Sequence, residues 1–188
     1  MNEKLPIGVR RDGSFYTRIE WVSHTESNPL FWVCNVIDDD IERSGGTWAA
    51  NTKGPADLVI SFFGEEQEIG KFKIFNNLGL PNSMLEELAK QINVYISNTD
   101  ESRKLKSGDD KITDVPWTQI ASCNMEKEEG WLEVILEKPV IAKYVRFELV
   151  ENYGTPADCH WIETNEIKIY PVVDEIPPVK IRGACCMF

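Results

Sequence analysis

This chain has little with which to do chemistry. Its 188 residues include only two histidines, and it contains no G-x-S-x-G elbow, H-E-x-x-H helix, P-loop or G-x-G-x-x-G turn. Neither histidine has a nucleophile at a recognisable spacing, so an enzyme is not expected. Cysteine is sparse: Cys34, Cys123, Cys159, Cys185 and Cys186 form an odd, scattered set without a CxxC pair. That argues against a structural zinc site and favours free thiols over a disulfide framework. Basic residues are outnumbered, 20 Lys and Arg against 31 Asp and Glu, for a net charge of -11. Nucleic-acid binding draws most of its affinity from Lys and Arg on phosphates, so no nucleic-acid partner is expected, nor plain electrostatic docking on anionic lipid. No apolar run approaches the roughly 18 residues of a membrane span. The opening residues Met1 to Pro6 also lack the apolar stretch of a signal peptide. This points to a cytoplasmic or non-classically exported protein, or to an extracellular one whose leader lies outside the given chain.

What is present is a series of short runs of alternating, β-branched or aromatic character. They fall at Leu30 to Cys34, Asp57 to Phe63, Lys71 to Phe75, Ile92 to Ser97, Trp117 to Ala121, Trp131 to Leu136, Lys143 to Val150 and Glu166 to Tyr170. Glycines and prolines separate them, among them Gly54-Pro55, Gly64, Gly79, Pro116, Gly130, Pro139 and Pro156. Many short strands with no βαβ alternation describe an all-β, antiparallel β-sandwich. Period-2 alternation puts Val145, Phe147 and Leu149 on one face of their strand and Arg146 and Glu148 on the other. One short helix is expected where Ser83-Met84-Leu85-Glu86 forms a capping box and Leu85, Leu88, Ala89 and Ile92 recur at helical spacing. Residues 98–114 are polar and read as an exposed loop. Three parts follow: an extension with the first strand at 1–29, the sandwich at 30–171, and a Pro- and Cys-containing tail at 172–188.

Ile37-Asp38-Asp39-Asp40, continuing through Glu42, Ser44, Gly45 and Gly46 to Thr47-Trp48, concentrates hard oxygen donors in a glycine-containing turn. Calcium takes 6–8 oxygens at roughly 2.3–2.6 Å, and adjacent aspartates repel one another unless a cation or solvent neutralises them. Two readings stand: a structural Ca²⁺ site that draws on Asp38, Asp40 and Thr47, or a solvated acidic turn.

Aromatic and amide residues gather near loop positions. Sugars are recognised by a flat apolar face for their C–H groups and a few polar groups for their hydroxyls. Trp21 and His24, then Asn76, then Tyr153, His160 and Trp161 supply such types from three separate loops. Trp48, Trp117 and Trp131 are expected in the core.

Several motifs occur in an order that resembles the discoidin family, or coagulation-factor type C domain, of the galactose-binding-like jelly rolls. They are Ile37-Asp38-Asp39-Asp40 with Thr47-Trp48, then Leu58-Val59-Ile60-Ser61-Phe62-Phe63-Gly64. Asn93-Val94-Tyr95-Ile96-Ser97-Asn98 with Trp117-Thr118 follows. Lys143-Tyr144-Val145-Arg146-Phe147 and Asn165-Glu166-Ile167-Lys168-Ile169-Tyr170 complete the series. The resemblance covers about residues 30–171. It departs at the turn, where Asp39 stands in place of the family's glycine. It implies a galactose-binding-like jelly roll, a calcium ion held by Asp38, Asp40 and Thr47 with Glu166 completing the set so that it clamps first and last strands, and a carbohydrate or glycoconjugate bound by loops at one end. The same fold also serves as an intracellular adaptor, so a protein-interaction or assembly subunit is the rival expectation. The last four residues, Cys185-Cys186-Met187-Phe188, have the form of a prenylation box but lack the upstream polybasic run that accompanies stable anchoring.

Overall fold

The computed structural model describes residues 8–41, 46–52, 55–76, 85–99, 112–154 and 160–172. Among these residues ten strands make two packed layers. β1 (Arg18–Val22), β3 (Ala56–Ser61), β8 (Tyr144–Asn152), β5 (Ala89–Ser97) and β6 (Thr118–Asn124) form a five-stranded sheet in the order β1-β3-β8-β5-β6. β10 (Glu166–Pro171), β4 (Gln67–Asn76) and β7 (Gly130–Ala142) form the facing sheet in the order β10-β4-β7, and β2 (Trp48–Asn51) pairs with β9 (Trp161–Thr164). All these strand pairs are antiparallel. Apart from β5 and β6, the hydrogen-bonded neighbours are not consecutive in the chain, so the sandwich is closed mainly by crossing connections.

Alternation explains β8 directly. Val145, Phe147 and Leu149 are wholly buried in the core with Leu58, Ile60, Phe72, Ile74 and Ile169, and Phe72 meets Phe147 edge-on at 5.7 Å. β3 is buried on both faces. Its outward Asp57 accepts from Arg146 Nε at 2.7 Å, and its outward Val59 packs with Trp21 and Tyr144. The Arg146 guanidinium also donates to Glu148 at 2.9 Å and lies over the Tyr95 ring, which satisfies a charge that would be costly to bury alone.

Four expectations need correction. Leu30 to Cys34 is not a strand: Pro29–Phe31 and Val33–Ile37 are short 3-10 turns. Asn28 caps the first, its side chain accepting from the Leu30 N–H at 3.1 Å. The helix at Leu85 to Ile92 is absent, since Leu85 to Glu87 form a turn and Ala89 begins β5; Ser83 and Met84 lie outside the described residues. Register shifts around Gln91 break the two-residue period, so Ala89 and Ile92 are both buried at a spacing of three and imitate a helix. Trp131 is 39% exposed rather than core, while Trp48 is wholly buried. Finally, residue 30 is no boundary: β1 is hydrogen-bonded into the five-stranded sheet and Phe15 packs edge-on against Phe62 at 5.2 Å. Residues 100–111, most of the expected loop, and 173–188, with the prenylation box, lie outside the described residues. No helix among the described residues is long and apolar enough to cross a membrane.

Candidate functional site

Strand register gathers the candidates at one end of the sandwich. Val22 ends β1 opposite Leu58, Ala56 opens β3 opposite Leu149, Ala89 opens β5 opposite Asn152, and Asn76 ends β4 opposite Gly130. Residues 23–37, which follow β1, and Tyr153 and Gly154, which follow β8, therefore emerge together. His24, Tyr153, His160 and Trp161 lie at this end with half-buried or exposed side chains. Asn76 lies there too but is wholly buried, and its Nδ2 donates to the Ala89 carbonyl at 3.0 Å, tying β4 to β5. Trp21 is different. It is 4% exposed and packed against Val59 and Tyr144, with Ile112 and Trp117 beside it, so it has no face to offer a ligand.

His24, Tyr153 and Trp161 are held by both backbone and side-chain contacts. The Trp48 indole N–H donates to the His24 carbonyl at 3.4 Å, and Ser23 Oγ lies 2.7 Å from His24 Nδ1. The Tyr153 N–H donates to the Glu86 carbonyl at 3.0 Å, and its hydroxyl donates to the Met125 carbonyl. Lys127, ion-paired with Glu86 at 2.8 Å, lies over the Tyr153 ring. Trp161 pairs with Asn51 across β2 and β9 and tilts against Phe31 with ring centroids 5.7 Å apart. Sequence reasoning missed Phe31 and Trp32, having read them as strand. Trp32 is 46% exposed, and with Thr25, Glu26, Val33 and Cys34 it lines a hollow of about 290 Å³. The dipeptide Asn28-Pro29 is the signal that marks this segment as a turn.

The acidic corner lies beside these loops, where Glu166 opens β10 opposite Phe75. Glu166 is wholly buried; its Oε2 accepts from the Asp39 N–H at 3.3 Å and, among the described residues, its Oε1 meets no donor. Burial pushes its carboxyl up to about 8, with the Lys168 ammonium pulling down and the Asp38 charge pushing further up. Asp38 is raised as well, first by burial, against the Asp40 N–H that donates to its Oδ1 at 2.9 Å. Asp39 holds the turn with φ +70°, the left-handed conformation that glycine adopts most freely. Lys168 pairs with Asp39 and, at 2.7 Å, with Asp12, while the Arg10 guanidinium donates to the Ile37 carbonyl at 2.7 Å. Thr47 is buried and its Oγ1 donates to the Thr164 carbonyl at 2.9 Å.

Asn35 sets that position. Its Nδ2 reaches the carbonyls of Pro29, Leu30 and Thr47 at 3.1–3.2 Å. It lies so close to Gly46, φ +89°, that a Cβ there would stand 2.5 Å from it. Of the predicted metal set, the structure brings Asp38 and Glu166 into electrostatic contact and ties Thr47 to the segment just before Glu166. Asp40 is exposed. Among the described residues no three His, Cys, Asp or Glu side chains converge, so a cation here would take two carboxylates and complete its shell with Thr47 and carbonyls.

No protein-family profile matches the chain, and no curated protein matches it by sequence. Solved structures do. The family 32 carbohydrate-binding module of Streptococcus pneumoniae EndoD matches with a TM-score of 0.59 at 14% identity, covering 83% of this chain and 96% of that one. The family 32 module of Clostridium perfringens NanJ, in complex with galactose, matches with a TM-score of 0.58 at 12% identity, covering 81% and 92%. A fucolectin from striped bass (Morone saxatilis) serum matches with a TM-score of 0.59 at 11% identity, covering 82% of this chain and 46% of that one. The fold is that of the galactose-binding-like jelly rolls. Within this jelly roll, the crossing connections bring aromatic loops and acidic turn to a single end.

Proposed function

We propose that this chain is a non-catalytic carbohydrate-binding module that holds its ligand with the loops around Trp32 and Trp161. One observation carries the reading: partly exposed Phe31, Trp32 and Trp161 stand at the loop end beside a small, mainly apolar hollow whose rim includes Thr25 and Glu26. The hollow falls at the lower edge of the ~300–1,000 Å³ typical of small-molecule sites, which suits one sugar ring. An indole face stacks on sugar C–H groups, while Thr25 and Glu26 offer a hydroxyl and a carboxylate to its hydroxyls. The galactose complex of a module of the same fold supports the same ligand class. A glycan array probed with the full chain tests this. Binding to a restricted set of glycans is expected, and silence across galactose- and GalNAc-terminated glycans opposes it.

The acidic corner is a structural calcium clamp in this reading. The residues fit the ion: a buried Glu166 oxygen lacks a donor, Asp38 and Glu166 both need positive charge nearby, and Lys168 and Arg10 are engaged with Asp39, Asp12 and Ile37. Glu166, Asp38 and Thr47 would hold it, and Asp40 would remain at the rim. When bound, the ion supplies charge neutralisation that fastens the turn to β10.

A protein-interaction role remains a second reading, favoured by the opposite end. There Phe63 is 62% and Ile141 54% exposed, and Ile135, Leu136, Pro139, Pro171 and Val172 line an apolar groove of about 460 Å³. Exposed apolar patches mark docking surfaces.

A further inference from the structure

The hollow beside Trp32 holds one kind of charge. Of the described residues, Thr25, Glu26, Trp32, Val33 and Cys34 line it, so its wall is mainly apolar and its charged member is Glu26. Glu26 is half-buried, and among the described residues it makes no ion pair and no side-chain hydrogen bond. Other acidic groups at this end are differently placed. Glu86 is paired with Lys127 at 2.8 Å and Glu151 with Lys90 at 2.7 Å. Glu163 is 2% exposed, and burial together with the Glu87 charge pushes its carboxyl up to about 8. The cations of the acidic corner serve the turn: Lys168 holds Asp12 and Asp39, and Arg10 holds the Ile37 carbonyl. No lysine or arginine among the described residues lines the hollow, and the chain's net charge of -11 has the same sign as Glu26.

A carboxylate in such a place acts in two directions on a sugar stacked against Trp32. It accepts from hydroxyls, and hydrogen bonds to an ionised acceptor are stronger than neutral ones. It also repels a second anion, and the repulsion grows where walls displace water. Specificity of this kind comes from what is kept out as much as from what is held. We propose that Glu26 determines specificity in the hollow: it selects glycans whose bound end is uncharged and rejects ends that carry a carboxylate or a sulfate. The selection rests on the carbohydrate-binding reading of the same loops and names the class of glycan within it.

Calorimetric titration of the full chain with the methyl glycosides of galactose, galacturonic acid and galacturonamide tests the proposal. The acid and the amide share a shape and differ in charge. Wild type should bind galactose and the amide with similar affinity and the acid about 10-fold more weakly. Raising NaCl from about 0.05 M to about 1 M should narrow that gap, because the screening length shrinks to about 3 Å. Glu26→Gln, folded by circular dichroism, should bring acid and amide to near equality, whatever happens to galactose itself. Glu26→Lys should prefer the acid, and Trp32→Ala should lose all three ligands. Equal binding of acid and amide by wild type overturns the selection and leaves the carbohydrate reading standing. A gap that persists in Glu26→Gln overturns the role of Glu26, and binding retained in Trp32→Ala moves the ligand off the hollow and overturns it as well. No binding of any of the three by wild type defeats the reading and the selection together.

Discussion

The aromatic loops and the acidic corner share one end of the sandwich and are built in opposite ways. Phe31, Trp32 and Trp161 are fixed through their backbones while their rings stay partly open. At the acidic corner the side chains themselves make the bonds, and those bonds span the chain: Thr47 to Thr164, Asp39 to Glu166, Lys168 to Asp12. Contacts over such separations hold strands together, whereas the aromatic rings keep part of their surface open to solvent. On the proposed reading, ligand recognition belongs to one corner and fold closure to the other. Substitutions should separate the two.

The largest effect should come where the corners join. Trp48 is wholly buried and its indole N–H reaches the His24 carbonyl, so Trp48→Ala should cost about 3–5 kcal/mol in urea unfolding. Both corners should weaken together; loss of sugar binding at unchanged stability would break the comparison. Calcium removal should act on closure alone. An ion at 100 times its Kd stabilises by about 2.7 kcal/mol, so EGTA or Asp38→Asn should lower Tm by several degrees and leave the glycan Kd of the folded protein nearly unchanged. Trp161→Ala should do the reverse, with glycan affinity falling about 30-fold, equivalent to ~2 kcal/mol, while Tm moves little. The smallest effect is on pH dependence. In calcium-free buffer the raised folded pKa of Glu163, about 8, favours the folded state fully below the ordinary carboxylate range. That contribution is lost as pH rises toward 8, at no more than about 1.4 kcal/mol per pH unit. Glu163→Gln should flatten the slope measured by urea unfolding between pH 5 and 8; an unchanged slope would mean that the carboxyl is not held neutral.

Much of the sandwich was legible because alternation is local. Lys143 to Val150 and Glu166 to Tyr170 carry a clean two-residue period, and both are strands. Legibility failed where backbone geometry overrode the period. The shifts around Gln91 turned a strand into an apparent helix, and the Asn28 cap turned an apolar run into a 3-10 turn. At the acidic corner, Asp38 and Glu166 are 128 positions apart, and their meeting was foreseen only through the resemblance. Arg10, Asp12 and Lys168, which lock the turn, carry no local signal. Trp21 shows the limit for aromatics, because its burial depends on Val59 and Tyr144 from strands remote in sequence.

The most direct test of the account is a glycan-array comparison of wild type and Trp161→Ala, each in calcium and in EGTA. The account predicts that wild type binds in both conditions and Trp161→Ala in neither, with both proteins folded. Binding that survives Trp161→Ala but vanishes in EGTA while the protein stays folded would contradict it, by moving recognition from the aromatic loops to the ion.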